Sequence, residues 1–278
     1  MLKIDAHQHF WQYNPDDYGW INDDMSILKK DYLPDELYVH LENNDFDGCI
    51  AVQARQNELE NDFLLGLAEK NSFIKGVVGW VDLQADDVEE QLEKITQNPV
   101  LCGIRHLIQD EPDDQFLLKE RFLRGIRHLK QFDLSYDILI FPRHLPVAAA
   151  FVEQFSDQKF VIDHIAKPDI KNQALEPWSN GIKRLAEYPN VFCKLSGMVT
   201  EADWNEWQKI DFKPYLDVVF EVFGTERLMI GSDWPVCKLA GEYESVVEIV
   251  TDYIAQLSPD EQGHVLGGNA IQFYNLRI

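Results

Sequence analysis

The chain has 278 residues, a length that suits one α/β barrel, and 45% of them are hydrophobic, enough to bury a large core. A formal charge of −23 gives a surface that repels nucleic acid and anionic membranes, and anionic substrates as well unless the pocket itself is basic. The opening MLKIDAHQHF lacks the apolar stretch of a signal peptide, and no apolar run approaches the roughly 18 residues that span a bilayer, so a soluble cytoplasmic protein is expected.

The first strand candidate, residues 2–9, contains Ile4-Asp5-Ala6-His7-Gln8-His9. Strand alternation sets Asp5, His7 and His9 on one face and Ile4 and Ala6 on the other. With the apolar face toward a helix layer, the polar face points into a barrel. Two imidazoles two residues apart can converge on one metal ion or one substrate oxygen. Such a pair arises by chance on surfaces, but rarely as the end of a first apolar strand. Residues 10–33 form a loop longer than a usual connection and carry Trp11, Tyr13, Tyr18 and Trp20; long loops in compact domains are often functional.

A short helix over 34–41 leads to the second strand, 46–54, where Gln53 is a pocket-lining hydrogen-bonding group or a satisfied buried amide. The helix over 58–70 places Leu59, Phe63, Leu64 and Leu67 on one face. The third strand, 73–82, is followed by a helix over 88–95. In the fourth strand, 100–107, parity groups Arg105 with Gly103 and Leu107 and His106 with Ile104, so Arg105 is expected inside and His106 at the rim. A helix over 116–130, the fifth strand at 135–141 and a helix over 147–155 come next.

The sixth strand, 159–165, ends in His164, which serves a site or is a core histidine bonded to backbone; Asp163 is expected to face the other side or support a neighbouring strand. After a helix over 177–188, the seventh strand, 191–198, puts Lys194 on the face of Phe192 and Ser196. A lysine there is costly to bury unless paired, so it binds an anion or carbonyl, or forms a structural ion pair. A helix over 214–223 precedes the eighth strand, 227–233, whose final Asp233 neighbours the first strand in a closed barrel; in isolation it would only open a loop or cap a helix. After a helix over 243–257, Ser258 as N-cap and Pro259 in the first turn open a terminal helix.

Strands alternating with helices imply parallel pairing. Eight such units favour a single (β/α)8 TIM barrel over residues 1–278 with a C-terminal extra helix. Active sites of such barrels lie at the C-terminal strand ends, where His7, His9, His164 and Asp233 are expected to gather with Lys194. Cys49, Cys102, Cys193 and Cys237 form no CxxC pair and read as small core residues in a reducing compartment.

The segments IDAHQHFW, GIRH, VIDHIAKP, CKLSGM and LMIGSDWP, in this order, resemble the amidohydrolase superfamily, in its amidohydrolase-related branch of sugar lactonases and decarboxylases. The DAHQHFW opening, WVDL at 80–83 and FPRHLP at 141–146 are most similar to lactonases of the L-fuconolactone and L-rhamnonolactone type. The resemblance implies hydrolysis of a sugar-acid lactone. Asp233 would activate water as general base. His7, His9 and His164, with Lys194 or Arg105, would polarise the ester carbonyl. Trp11, Trp20 and Trp234 would stack on the sugar ring, or pack in the core and at the rim. Gln53 and His106 complete the substrate-binding candidates.

Members with two metals carry a carboxylated lysine or a glutamate on the fourth strand, where this chain has Gly-Ile-Arg-His, and the fifth strand candidate ends without a histidine. The resemblance therefore implies at most one divalent ion such as zinc, on some of His7, His9 and Asp233, and similar lactonases work without one. The identity of the lactone, its ring size and the oligomeric state, a homo-oligomer included, stay open. Two other functions compete: a zinc-dependent nonoxidative decarboxylase of an aromatic acid, which wants more metal ligands, and a non-enzymatic sugar-acid-binding protein on the same fold.

Overall fold

The computed structural model describes residues 2–278. Eight short strands follow one another in a single parallel sheet: β1 (Ile4–Gln8), β2 (Gly48–Val52), β3 (Ile74–Gly79), β4 (Leu101–His106), β5 (Ser135–Ile138), β6 (Phe160–Ile162), β7 (Val191–Leu195) and β8 (Leu228–Ile230). The sheet curls until β8 meets β1. Asp233 N–H donates to the His7 carbonyl at 2.8 Å, and His9 N–H to the Trp234 carbonyl at 2.7 Å. The barrel thus closes through the backbone of residues expected to carry its chemistry.

The helices α1 (Pro34–Asn43), α2 (Glu58–Lys70), α3 (Val88–Ile95), α4 (Glu120–Leu129), α5 (Leu145–Val152), α6 (Trp178–Ala186), α7 (Lys209–Phe223) and α8 (Tyr243–Ile254) connect the strands, and α9 (Pro259–Gly263) and α10 (Asn269–Phe273) follow. None is long and apolar enough to cross a membrane. The expected helix over 116–130 is divided, because Lys119 takes an extended conformation between a short turn at Phe116–Leu118 and α4. Helix α7 starts before the expected Pro214, at a cap where Gln208 N–H donates to Asp211 at 2.8 Å. The buried face of α2 also differs from expectation. Leu59 is 67% exposed, whereas Glu60 and Asn61 are buried. These two polar groups tie down neighbouring loops: Glu60 accepts from Ala54 and Arg55 N–H, and Asn61 bonds both polar backbone groups of Trp80.

Inside the barrel, Ile4, Ala6, Ile50, Val52, Val78, Cys102, Val161 and Met229 form one apolar cluster with Ala270, Phe273 and Tyr274. The C-terminal segment thereby stoppers the N-terminal end. All four cysteines are buried and unpaired.

This interior corrects the expected facing of β1. Ile4 and Ala6 point in. Asp5 points out, accepting from Ser232 N–H at 2.9 Å, Ser232 Oγ–H at 2.6 Å and Tyr243 of α8 at 3.1 Å. A register shift against β2 between Asp5 and Gln8 then inserts one extra residue. After this bulge the alternation is inverted, so His7 and His9 face the interior although Asp5 does not. Gln8 returns to the outer layer, bonded to Cys49.

Candidate active site

Two layers of polar side chains fill the C-terminal half of the barrel. The lower one is a run of alternating charges. Lys194 Nζ lies 2.6 Å from Asp137 and 3.1 Å from Asp163. Asp163 accepts from Arg105 Nη1 at 2.9 Å. Burial lowers the Lys194 pKa, but Asp137 and Asp163 more than reverse this and hold the ammonium above its usual range. Burial likewise pushes Asp163 up, yet Lys194, His7 and Arg105 keep its carboxylate well below the ordinary value. Asp137 stays raised by burial despite Lys194, and accepts a hydrogen bond from Tyr274 Oη at 2.8 Å. Two cations balance two carboxylates, which is what allows such groups to be buried.

His7 sits on this layer. Its Nδ1 is 3.3 Å from Asp163, and its Nε2 accepts from Arg105 Nη1 at 3.3 Å. Burial drives the imidazole pKa far down, so the ring is neutral. Above it stand His9, His164 and Asp233. His9 Nδ1–H donates to the Val52 carbonyl at 2.7 Å, which leaves Nε2 facing Asp233 Oδ1 at 3.3 Å. His164 Nδ1 bonds Ser196 Oγ at 2.9 Å and turns Nε2 toward Asp233 at 3.9 Å. Burial lowers the His164 pKa to about 4, so it too is neutral near pH 7. Asp233 is pushed up by burial, but His164, His9 and His7 hold it far below the ordinary carboxylate range.

The backbone explains why Asp163 and His164 both contribute, although strand parity separates them. After β6 the chain enters a left-handed turn: His164, Ile165, Ala166 and Lys167 have φ between 47° and 60°. Asp163 keeps the inward direction of Val161, and the turn swings His164 back over the barrel mouth. Of the two expectations for Asp163, facing the other side fails and supporting a neighbouring strand holds, through Lys194 of β7; that His164 joins it inside could not be read, because nothing in Asp-His-Ile-Ala-Lys announces four consecutive left-handed residues.

A cavity of ≈ 400 Å³ opens above this floor. His9, Arg105, His164 and Asp233 reach it, as does Trp20 from the long first loop. The remaining expected contacts do not. Trp11 and Trp234 are fully buried; Trp11 packs on Tyr18 and Tyr32 and donates to the Lys30 carbonyl, and Trp234 packs on Phe10 and Tyr32. They anchor the loop and are not free to stack on a ligand. His106 faces the helix layer, stacked on Phe116 and bonded to Glu111 at 2.7 Å, as its parity opposite Arg105 requires. Gln53 does not line the cavity; its amide and carbonyl fix Arg105. Lys194 lies beneath the floor as an ion-pair partner, with no exposed surface. Sequence reasoning also missed the walls formed by Phe141, Lys167, Glu201 and Trp204, which lie in loops without a periodic signal.

His7, His164 and Asp233 each offer a ligand atom, all within 4.8 Å of one another. Two donors at about 2.1 Å from one zinc ion lie up to about 4 Å apart, so a small contraction seats an ion there. Two neutral imidazoles and an ionised carboxylate are a suitable donor set. The expected trio is equally compact: His9 Nε2 lies 3.3 Å from His7 Nε2 and 3.3 Å from Asp233 Oδ1, with His7 Nε2 and Asp233 Oδ1 3.9 Å apart, so His9 and His164 flank the same position. The guanidinium of Arg105 against His7 Nε2 is a cation already present at the same place.

The sequence matches the Amidohydrolase family over residues 4–276. The protein belongs to that family. Among its relatives, an L-fucono-1,5-lactonase of Burkholderia multivorans is 40% identical, covering 99% of this chain and 96% of its own length. Another L-fucono-1,5-lactonase, from Burkholderia ambifaria, is 36% identical over the same shares. A crystal structure of a Burkholderia multivorans amidohydrolase with bound zinc superimposes with a TM-score of 0.97 at 40% identity over the whole of both chains.

Proposed function

We propose that this amidohydrolase hydrolyses a sugar-acid lactone of the L-fucono-1,5-lactone type. The full-length similarity to L-fucono-1,5-lactonases carries the choice of substrate. The site supports the chemistry. An ionised Asp233 and a neutral His164 face a cavity whose size suits a small cyclic ester with its attacking water.

Asp233 takes a proton from water as the water oxygen adds to the ester carbonyl carbon. Negative charge develops on the carbonyl oxygen, and Arg105 and His164 donate to it; with Ser196 Oγ–H donating to His164 Nδ1, the ring carries its proton on Nε2. The bond from carbonyl carbon to ring oxygen then breaks. Protonated Asp233 returns its proton to the departing alkoxide, giving the open hydroxy acid. His7 and Asp163 hold Arg105 in place.

A zinc ion on His7, His164 and Asp233 would add Lewis-acid polarisation of the carbonyl. With Ser196 accepting from Nδ1–H, His164 presents the lone pair that such an ion needs, so the same residues serve either state. Because Arg105 already provides positive charge at that position, activity survives metal removal.

The test is a pH-indicator assay on a panel of aldono-1,4- and 1,5-lactones, with protein dialysed against chelator and its metal content measured. Turnover of the 1,5-lactone of L-fuconate with less than a tenfold loss after chelation is expected. Silence across the panel overturns the lactonase assignment, and complete loss on chelation overturns the metal-independent mechanism.

A further inference from the structure

The wall of the cavity holds a second pair of charged groups that the hydrolytic step does not use. Lys167 ends the left-handed turn that delivers His164, and Glu201 lies in the loop after β7. Both line the cavity. The two loops are joined where Lys171 N–H donates to the Glu201 carbonyl at 2.9 Å. The side chains are only 16% and 20% exposed, yet they stop 4.0 Å apart, beyond hydrogen-bond distance. Among the described residues Glu201 is the one carboxylate within 4.0 Å of the Lys167 ammonium, and the Glu201 carboxylate has only a long 3.4 Å bond from Thr200. The face of Phe141 lies 5.4 Å from the same ammonium. Side chains this buried are normally satisfied by protein partners. These keep donors and acceptors free at the border between the cavity and an open surface groove shared with Asp169.

We propose that Lys167 and Glu201 recognise the hydroxyl groups of the lactone ring and set specificity for a polyhydroxylated substrate; this rests on the lactonase reading above. The ammonium donates to hydroxyl oxygens and the carboxylate accepts from hydroxyl protons, so a pair of zero net charge matches a neutral polyol. An anionic ring substituent meets the repulsion of Glu201. A ring without hydroxyls leaves both groups desolvated and unpaired, and sites built to bond hydroxyls discriminate strongly against analogues that lack them. The turn that supplies His164 also supplies Lys167, so the hydroxyls are held in fixed relation to the ester carbonyl.

The experiment compares kcat/KM for L-fucono-1,5-lactone and for δ-valerolactone, the six-membered ring without hydroxyls, in the wild type, Lys167→Met, Glu201→Gln and Lys167→Arg. In the Met and Gln variants the ratio of the two constants falls at least tenfold, chiefly through KM of the sugar lactone, and the Arg variant recovers part of it. An unchanged ratio overturns the proposal, as does an equal loss on both lactones. Calorimetry with the open-chain L-fuconate separates this outcome from failure of the lactonase reading. If the wild type turns over neither lactone, at least tenfold weaker L-fuconate binding by the Met and Gln variants supports the recognition pair, and equal binding overturns it.

Discussion

At the scale of single residues, Asp233 carries the sharpest expectation. Asp233→Asn is nearly isosteric but accepts no proton from water. General acid–base catalysis contributes about 10²–10⁴-fold, so kcat falls by that order while KM changes little. Steady-state kinetics on the best lactone check this, and a near-normal kcat removes Asp233 from the mechanism. His164 sets the acid side of the profile. Its folded pKa is lowered to about 4, against about 6.5 in the unfolded chain. Between those values the unfolded chain binds the extra proton, so the histidine's share of stability is complete above about pH 6.5 and is lost as pH falls toward 4. That share is about 3 kcal/mol. Urea unfolding at pH 7 and pH 4.5 should therefore show a smaller difference in His164→Asn than in the wild type; an equal pH dependence contradicts the assignment. In the wild type kcat/KM holds level from pH 7 to about 5, the range over which His164 stays neutral and Asp233 ionised.

Among the elements, the turns decide where side chains point. Gly197, after β7, has φ of 61°, and a Cβ there would lie 2.4 Å from His164 Nδ1. Gly197→Ala therefore pays for left-handed backbone, about 1–2 kcal/mol, and also displaces the ring. A kcat at least tenfold lower with unchanged circular dichroism is expected. Gly224→Ala makes a control, since its φ of 63° is similar and its added Cβ meets only the end of Glu226. Loss of activity in both variants would mean that backbone strain alone is responsible. The same distinction explains what could be read from the sequence. The eight strands were legible, since apolar runs with regular turn signals recur along the chain. So was the gathering of His7, His9, His164 and Asp233 at one end, since each closes a run. The bulge in β1 was not, because an inserted residue leaves composition untouched while inverting every later side chain. The inward His7 and His9 beside an outward Asp5, and the return of His164 over the mouth, follow from such backbone events, whereas Trp11 and Trp234 took the packing alternative because an aromatic ring suits a pocket wall and a core equally well.

Across the whole molecule, the C-terminal segment and the site share one column of contacts. Tyr274 reaches up to Asp137, Asp137 to Lys194, and Lys194 to Asp163. Tyr274→Phe removes the hydroxyl and leaves a buried carboxylate with one partner fewer. A destabilisation of about 1–3 kcal/mol in urea unfolding is expected; an unchanged midpoint would show that the stopper adds only apolar contact.

The closing seam has a consequence for the history of each molecule. Asp5 and Ser232, which meet beside it, are 227 positions apart. During synthesis at roughly 5–20 residues per second, the first histidines wait tens of seconds for the aspartate they will face. No partial chain holds the reacting group together, and no subset of strands rehearses it. Turnover therefore requires the barrel's two ends to be joined, so a refolding assay read by product formation gives a time no shorter than that joining.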